Sequence, residues 1–266
     1  MTTRCFAFGC SLTHYACATW ADFVGSNFDE YYNYAQGGAS NTFIMDSLIE
    51  ADDRLTLNAE TDYVVVMLTG FNRFSFIDED SHWNTKGDLY TYYDTTKDSK
   101  TGWFLKNMWN DTWAVYSSWV AAKTIKSLLK SKNIPHKILM GMDNIHFLEP
   151  RDGADNGYQF NLNKNRMQMA QDIHDLTEND KSFHKWFLLI EDSNKHLLWR
   201  NENNRLDGHA AQKIHYKYFK EQFPEFVNTK TEKMFEYVES IFLDTTQKEQ
   251  STNFYLNFYR DFNKRL

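Results

Sequence analysis

Cysteine is scarce in this chain and confined to one end. Cys5, Cys10 and Cys17 are the only three among 266 residues. An odd number in a chain of this size is no disulfide framework, and it fits a reducing compartment. The spacing of a zinc site is missing too. No apolar run approaches the ~20 residues that a membrane span needs, so no membrane partner is expected. The N-terminus lacks the basic, hydrophobic and small-residue succession of a secretory leader, and the expected location is the cytoplasm. Basic stripes are absent as well. Lys and Arg number 29 against 36 Asp and Glu, for a formal net charge of −7. Such a balance does not attract a phosphate backbone, which argues against nucleic acid as a partner. There is no internal repeat, no low-complexity linker and no sharp compositional boundary.

What is present is apolar and aromatic: 42% hydrophobic residues and 17% aromatics. That is enough for one sizeable core. Strand-like runs end at glycine-bearing loops. Residues 4–9 (RCFAFG) read as a buried first strand, and 11–24 as a helix opening at Ser11. Residues 31–35 read as a second strand and 42–53 as an amphipathic helix. Residues 62–68 (DYVVVML) are short, β-branched and apolar throughout, as a parallel strand buried on both faces must be. Residues 112–131 predict a helix, 137–142 a strand, and 162–176 and 210–219 further helices. Residues 231–243 and 252–262 predict two more. Strands alternating with helices argue for a parallel sheet covered on both faces. The aromatic, polar stretch 74–111 breaks the pattern and reads as a long insertion or lid. The division expected is a domain over 1–220 with that insertion, and a helical extension over 221–266 packed on it.

In an open parallel sheet the site lies at the carboxyl ends of the strands. Gly9-Cys10-Ser11, Gly37-Gly38-Ala39-Ser40 and Gly70-Phe71-Asn72 follow the first three predicted strands, and Asp207-Gly208-His209 comes near the end of the pattern. A serine hydroxyl needs a base in reach, and the base needs an orienting partner. Ser11, His209 and Asp207 supply those types, Asp207 and His209 facing one side of an extended segment. The backbone amides of Ser11 and Gly38 and the side-chain amide of Asn72 supply three donors for an oxyanion.

These segments resemble the conserved blocks of SGNH (GDSL-like) hydrolases in order and spacing, over roughly residues 4 to 220. FGCSLT around Ser11 resembles the first block. Asn33, Gly38 and Ser40 fall in an N-x-A-x-x-G-x-S second block, Gly70-Phe71-Asn72 in the third, and Asp207-Gly208-His209 in the last, with His215 six residues on. The opening GCS-L-T, WADFV and N-Y-A-x-x-G are similar to short phage-encoded members. Two positions depart from the pattern. The usual last block is Asp-x-x-His before proline, whereas here the spacing is one residue shorter and Ala210 follows. Cys10 stands where the family name has aspartate. The resemblance implies a flavodoxin-like three-layer α/β/α sandwich with about five parallel strands. It also implies a serine esterase acting through an acyl-serine intermediate without metal or cofactor. An O-acetylated carbohydrate is the substrate it suggests. Two alternatives stay open: an O-acyltransferase using the same site, and a binding or assembly protein on a retired fold. A homo-oligomer is compatible with either.

Each residue also has a plainer reading. Ser11 alone is a helix N-cap, Gly38 a turn glycine, Asn72 a loop residue and His209 a capping histidine. The ordered set of four favours the functional reading. His14, Arg73 and Asp143 are candidate substrate contacts, and His146 lies near Asp143. Cys10 at a helix N-terminus is a rival nucleophile, although its place on the strand turns it inward. Trp83, Tyr90, Tyr92, Tyr93, Trp103, Trp109 and Trp113 read as packing inside the insertion before they read as a platform for sugar rings.

Overall fold

The computed structural model describes residues 1–15, 17–77, 83–88, 103–104, 107–142, 164–179, 181–191, 198–200 and 206–244. Four strands form one parallel sheet: β1 (Arg4–Phe8), β2 (Glu30–Asn33), β3 (Asp62–Leu68) and β6 (His136–Met140), in the order β2-β1-β3-β6. The register is unbroken. Cys5 lies opposite Tyr31 on one side and Tyr63 on the other, and Val66 lies opposite Ile138. Val64 to Leu68 are all fully buried. Covering such a side chain contributes roughly 1.5–3 kcal/mol, and a strand apolar on both faces gains it twice over.

The strand order dictates the layers. From β1 the chain steps outward to β2, then returns past β1 to β3, and continues the same way to β6. Parallel crossovers are right-handed, so the helix of the first step lies on one face and those of the later steps on the other. Accordingly α1 (Trp20–Gly25) packs with α6 (Gln212–Gln222). There Trp20 stacks on Phe223 at 5.5 Å, and Phe23 meets Tyr216 at 4.9 Å. On the other face α2 (Asn41–Leu55) packs on α3 (Asp111–Ser131), and α3 on α4 (Lys164–Asp175). The Trp119 indole N–H donates to Asp172 at 3.1 Å between these last two. This is the α/β/α sandwich predicted.

Beside β6, where a fifth strand is expected, Glu178 and Asn179 take the edge. The Glu178 N–H donates to the Ile138 carbonyl at 2.8 Å. The Asn179 carboxamide accepts from Met140 N–H at 2.8 Å and donates to its carbonyl at 3.0 Å, a side-chain imitation of strand pairing. The helix α5 (Phe183–Glu191) follows. No helix among the described residues is long and apolar enough to cross a membrane.

One sequence expectation changes, and two hairpins are new. Ser11 does not open a helix: residues 11–14 form a turn, and α1 begins only at Trp20. The apolar spacing that suggested a longer helix belongs to an irregular loop in which Leu12 and Cys17 are buried. The start of the region read as an insertion or lid is an antiparallel hairpin, β4 (Arg73–Ile77) with β5 (Trp83–Asp88). His209 lies within a second hairpin, β7 (Leu198–Arg200) with β8 (Leu206–Ala210), outside the main sheet. Beyond α6, α7 (Thr229–Asp244) packs Phe235 flat on Tyr216 at 4.2 Å. Predicted helix 252–262 lies outside the described residues.

Candidate active site

The reversal of direction at β1 leaves a crevice between the carboxyl ends of β1 and β3, the place where ligands bind in open α/β sheets. The Gly9–Thr13 turn starts at one lip and Thr69–Asn72 at the other. In the first, the N–H groups of Thr13 and His14 both donate to the Cys10 carbonyl, at 2.9 and 3.1 Å. The turn throws Ser11 up from the strand end. Ser11 is 7% exposed and Asn72 9%, so both sit recessed in the lip. Cys10 is wholly buried, as its inward strand position predicted. With no helix beginning here, the case for Cys10 as a rival nucleophile loses its basis.

Gly9 exists because of the turn. A Cβ there would lie 2.1 Å from Thr13 Oγ1, and Thr13 is fully buried. The Thr13 carbonyl in turn accepts from Thr19 Oγ1 at 2.8 Å and from Asn33 Nδ2 at 3.1 Å. Asn33 accepts from the Ala35 N–H at 3.0 Å. The first residue of the N-x-A-x-x-G-x-S block is therefore a tie between the second loop and the Ser11 turn.

That second loop carries Gly38 at φ 77°, a left-handed conformation open to glycine and costly for other residues. Ser40 ends the loop by capping α2, its Oγ accepting from Phe43 N–H at 3.3 Å. Three further contacts lock the loop to the third block. Asn41 and Thr69 exchange two hydrogen bonds, Ser40 N–H donates to Ser75 Oγ at 3.1 Å, and Thr85 Oγ1 donates to the Gly37 carbonyl at 2.7 Å. The β4–β5 hairpin thus clamps the glycine loop. Arg73 stands two positions before Ser75 on β4, across an irregularity in the hairpin register. Its Nη1 is buried with no hydrogen-bond partner among the described residues.

His209 reaches this corner from far along the chain. Its ring lies on the Tyr15 ring with centroids 3.9 Å apart, and Cys17 Sγ contacts the Ala210 carbonyl at 3.8 Å. The strand carrying His209 therefore lies against the loop carrying Ser11. Asp207 stands two positions earlier on β8. His215 is wholly buried and stacks on Phe183 at 5.0 Å. Burial pushes its pKa down to about 3, helped by repulsion from His209, so it stays neutral. His14 sits in the turn rather than one helical turn above Ser11. Asp143 and His146 lie outside the described residues, as do Tyr90, Tyr92 and Tyr93. Trp83 is on β5. Of the remaining aromatics, Trp109 is buried, meeting Phe74 at 5.7 Å and Trp113 at 5.2 Å, while Trp103 and Trp113 are 61% and 41% exposed.

Sequence reasoning missed Tyr15 and Asn41. Tyr15 looked like an apolar helix position and Asn41 like the end of a loop. No spacing rule marks either, since both act through partners remote in the chain.

No protein-family model matches the sequence, and no curated protein matches it. Among solved structures, the chain is similar to a member of the lipolytic protein G-D-S-L family from Veillonella parvula, at 13% identity and a TM-score of 0.40, covering 84% of this chain and 98% of that one. It is also similar to an acetyl-xylooligosaccharide esterase from Geobacillus Stearmophilus, at 12% identity and a TM-score of 0.41, covering 86% and 96%. A third is a putative acylhydrolase from Bacteroides fragilis, at 13% identity and a TM-score of 0.33, covering 88% of each chain.

Proposed function

We propose that this chain is a serine esterase with Ser11 as nucleophile, His209 as general base and Asp207 as the acid that orients it. The observation that carries the reading is the seating of His209 on Tyr15, four residues from Ser11. It sets the last of four widely separated blocks against the loop that bears Ser11. His209 takes the Ser11 proton as Oγ bonds to the ester carbonyl carbon. The Ser11 and Gly38 amides and the Asn72 side chain hold the oxyanion. Collapse breaks the ester C–O bond, and His209 returns the proton to the departing alcohol. Water, deprotonated by His209, then attacks the acyl group and releases Ser11. Neither metal nor cofactor is part of this scheme.

The substrate we propose is a small acyl ester, an O-acetyl group on a carbohydrate. Exposed Trp113 lies 5.9 Å from Phe74, which is two residues after Asn72. An exposed indole beside the third block suits the apolar face of a sugar ring. In this reading Arg73, next to Asn72, and His14, three residues after Ser11, serve the sugar's hydroxyl groups.

The test is hydrolysis of p-nitrophenyl acetate and longer acyl esters by wild type, Ser11→Ala and His209→Ala. Turnover by wild type, with at least a thousandfold loss in both variants, supports the reading. Equal inertness of all three points to a binding protein. The recessed position of Ser11 favours a second reading, acyl transfer to a sugar hydroxyl in a site that limits water. Under that reading an added alcohol acceptor diverts the acyl group from water.

A further inference from the structure

Ser11 and His209 come from opposite ends of the chain, and a residue of the nucleophile loop holds the imidazole. The Tyr15 and His209 rings lie face to face, centroids 3.9 Å apart and planes 15° from parallel. Two neutral aromatic rings favour offset or edge-on contacts with centroids about 4.5–7 Å apart, because their electron-rich faces repel. A closer, near-parallel overlap suits a cation over a ring face, which needs to come within about 6 Å of the centroid. In the reaction proposed above, the imidazole acquires that charge when it takes the Ser11 proton.

Titratable residues stand near His209 on three elements. From α6, His215 is wholly buried and held neutral, so it does not share the proton. On its own strand, Asp207 stands two positions before His209. From the nucleophile loop come Tyr15 and the Cys17 thiol, the latter on the Ala210 carbonyl. The loop itself is anchored two residues before Tyr15, where Thr19 and Asn33 both bond the Thr13 carbonyl.

We propose that Tyr15 is a positioning residue for the general base: its ring fixes the plane of His209, and its π face stabilises the imidazolium that forms as Ser11 attacks. This rests on the assignment of Ser11 and His209 above.

The test reads His209 directly as well as turnover. Imidazole resonances of the full chain, assigned with His209→Ala, give the His209 pKa, and kcat/KM is followed against pH. Tyr15→Phe keeps the face, so the pKa stays in place and kcat/KM stays within about twofold. Tyr15→Leu removes it. Because the ring favours the charged form, its loss lowers the His209 pKa by about half a pH unit, a threefold change in proton affinity. The acid limb moves down with it, while kcat falls about tenfold and KM holds. A residue that merely fills space would not shift the acid limb. Fluorinated phenylalanines at position 15 keep the shape and weaken the face stepwise, which covers a Leu variant that fails to fold. A His209 pKa falling along that series supports the proposal, and a flat series overturns it. An unmoved pKa in Tyr15→Leu, with Ser11→Ala inactive, overturns the stack alone. Full hydrolysis by Ser11→Ala overturns the esterase reading, and the catalytic meaning of the stack with it.

Discussion

Asn41 and Thr69 bond to each other twice. The Asn41 amide donates to the Thr69 carbonyl at 3.1 Å, and the Thr69 N–H donates to the Asn41 carboxamide oxygen at 2.8 Å. The first residue of α2 is thereby stapled to the chain leaving β3, and the loop bearing Gly38 cannot move independently of the one bearing Asn72. Asn41→Ala removes both of these hydrogen bonds from the buried Thr69 backbone, at a cost of about 2–3 kcal/mol. Urea denaturation measures that loss, and kcat/KM on a small ester is expected to fall at least tenfold. Asn41→Asp gives no recovery, because a carboxylate then faces the Thr69 carbonyl. A fully stable and active Asn41→Ala would show that the two loops are held by other means.

The glycines of the site separate by geometry. Gly9→Ala forces a Cβ into Thr13 Oγ1, and Thr13 is enclosed on all sides. Overpacking of this kind costs about 1–3 kcal/mol, and the Ser11 turn must shift, with roughly a hundredfold loss of rate for a displacement near 1 Å. Gly38→Ala meets a left-handed backbone at φ 77°, at a cost of about 1–2 kcal/mol. At Gly37 a Cβ meets nothing within 4 Å, so Gly37→Ala is expected to keep wild-type turnover. Thermal melts and initial rates on the three variants distinguish a site built on backbone geometry from a loop that tolerates any small residue.

Acid stability should report His215. Its folded pKa is depressed to about 3 by burial and by His209, whereas the unfolded chain takes up a proton near 6.5. Between those values the unfolded state binds the extra proton, so stability is fully present above about pH 6.5 and is lost as pH falls. At about 1.4 kcal/mol per pH unit, the loss from this group is about 2 kcal/mol by pH 5. Denaturation midpoints of wild type at pH 7.5, 6 and 5 should decline, and those of His215→Phe should decline less. Parallel declines in the two proteins would remove His215 from the account.

At the opposite end of the sheet, Arg4 holds Asp62 with two hydrogen bonds, at 2.8 and 2.6 Å. Burial alone would raise the Asp62 pKa. Arg4, the Asn58 N–H and Thr61 Oγ1 outweigh it and hold the carboxyl below its ordinary value. That stability is present above the unfolded carboxylate pKa, about 3.9, and disappears as pH drops through the lower folded one. At pH 7, Asp62→Asn is expected to cost about 2 kcal/mol with kcat untouched, because the pair lies a strand's length from Ser11. A loss of turnover equal to that of Asn41→Ala would contradict this separation.

The parts of the fold that could be read in advance are those where a short stretch suffices. Residues 62–68 form β3 as predicted, because a β-branched run apolar on both faces has one stable environment. The helix predicted at 112–131 is α3, started by Asn110, whose side chain accepts from Trp113 N–H at 2.8 Å. The segment after Ser11 was misread because apolar residues at helical spacing also suit an irregular loop that buries two short runs, Ser11–Thr13 and Cys17–Thr19, with Thr13 and Cys17 tied elsewhere. The β4–β5 and β7–β8 hairpins were invisible because Arg73–Ile77 and Leu206–Ala210 carry few β-branched residues. Their pairing depends on each partner strand rather than on their own pattern.

By itself the sequence determined the chemistry available and its order along the chain: a serine after the first strand, a glycine after the second, an asparagine after the third and a histidine near the end. Local patterning also determined a parallel sheet, since each strand's burial is a property of its own residues. Only the tertiary structure decided which side chains meet. Tyr15 and His209 stand 194 positions apart in the numbering, and Asn41 and Thr69 stand 28 apart. No periodicity encodes such pairs, because ring stacking and hydrogen bonding require atoms to approach within about 4 Å, and that approach comes only when the packed sheet draws remote loops to one edge.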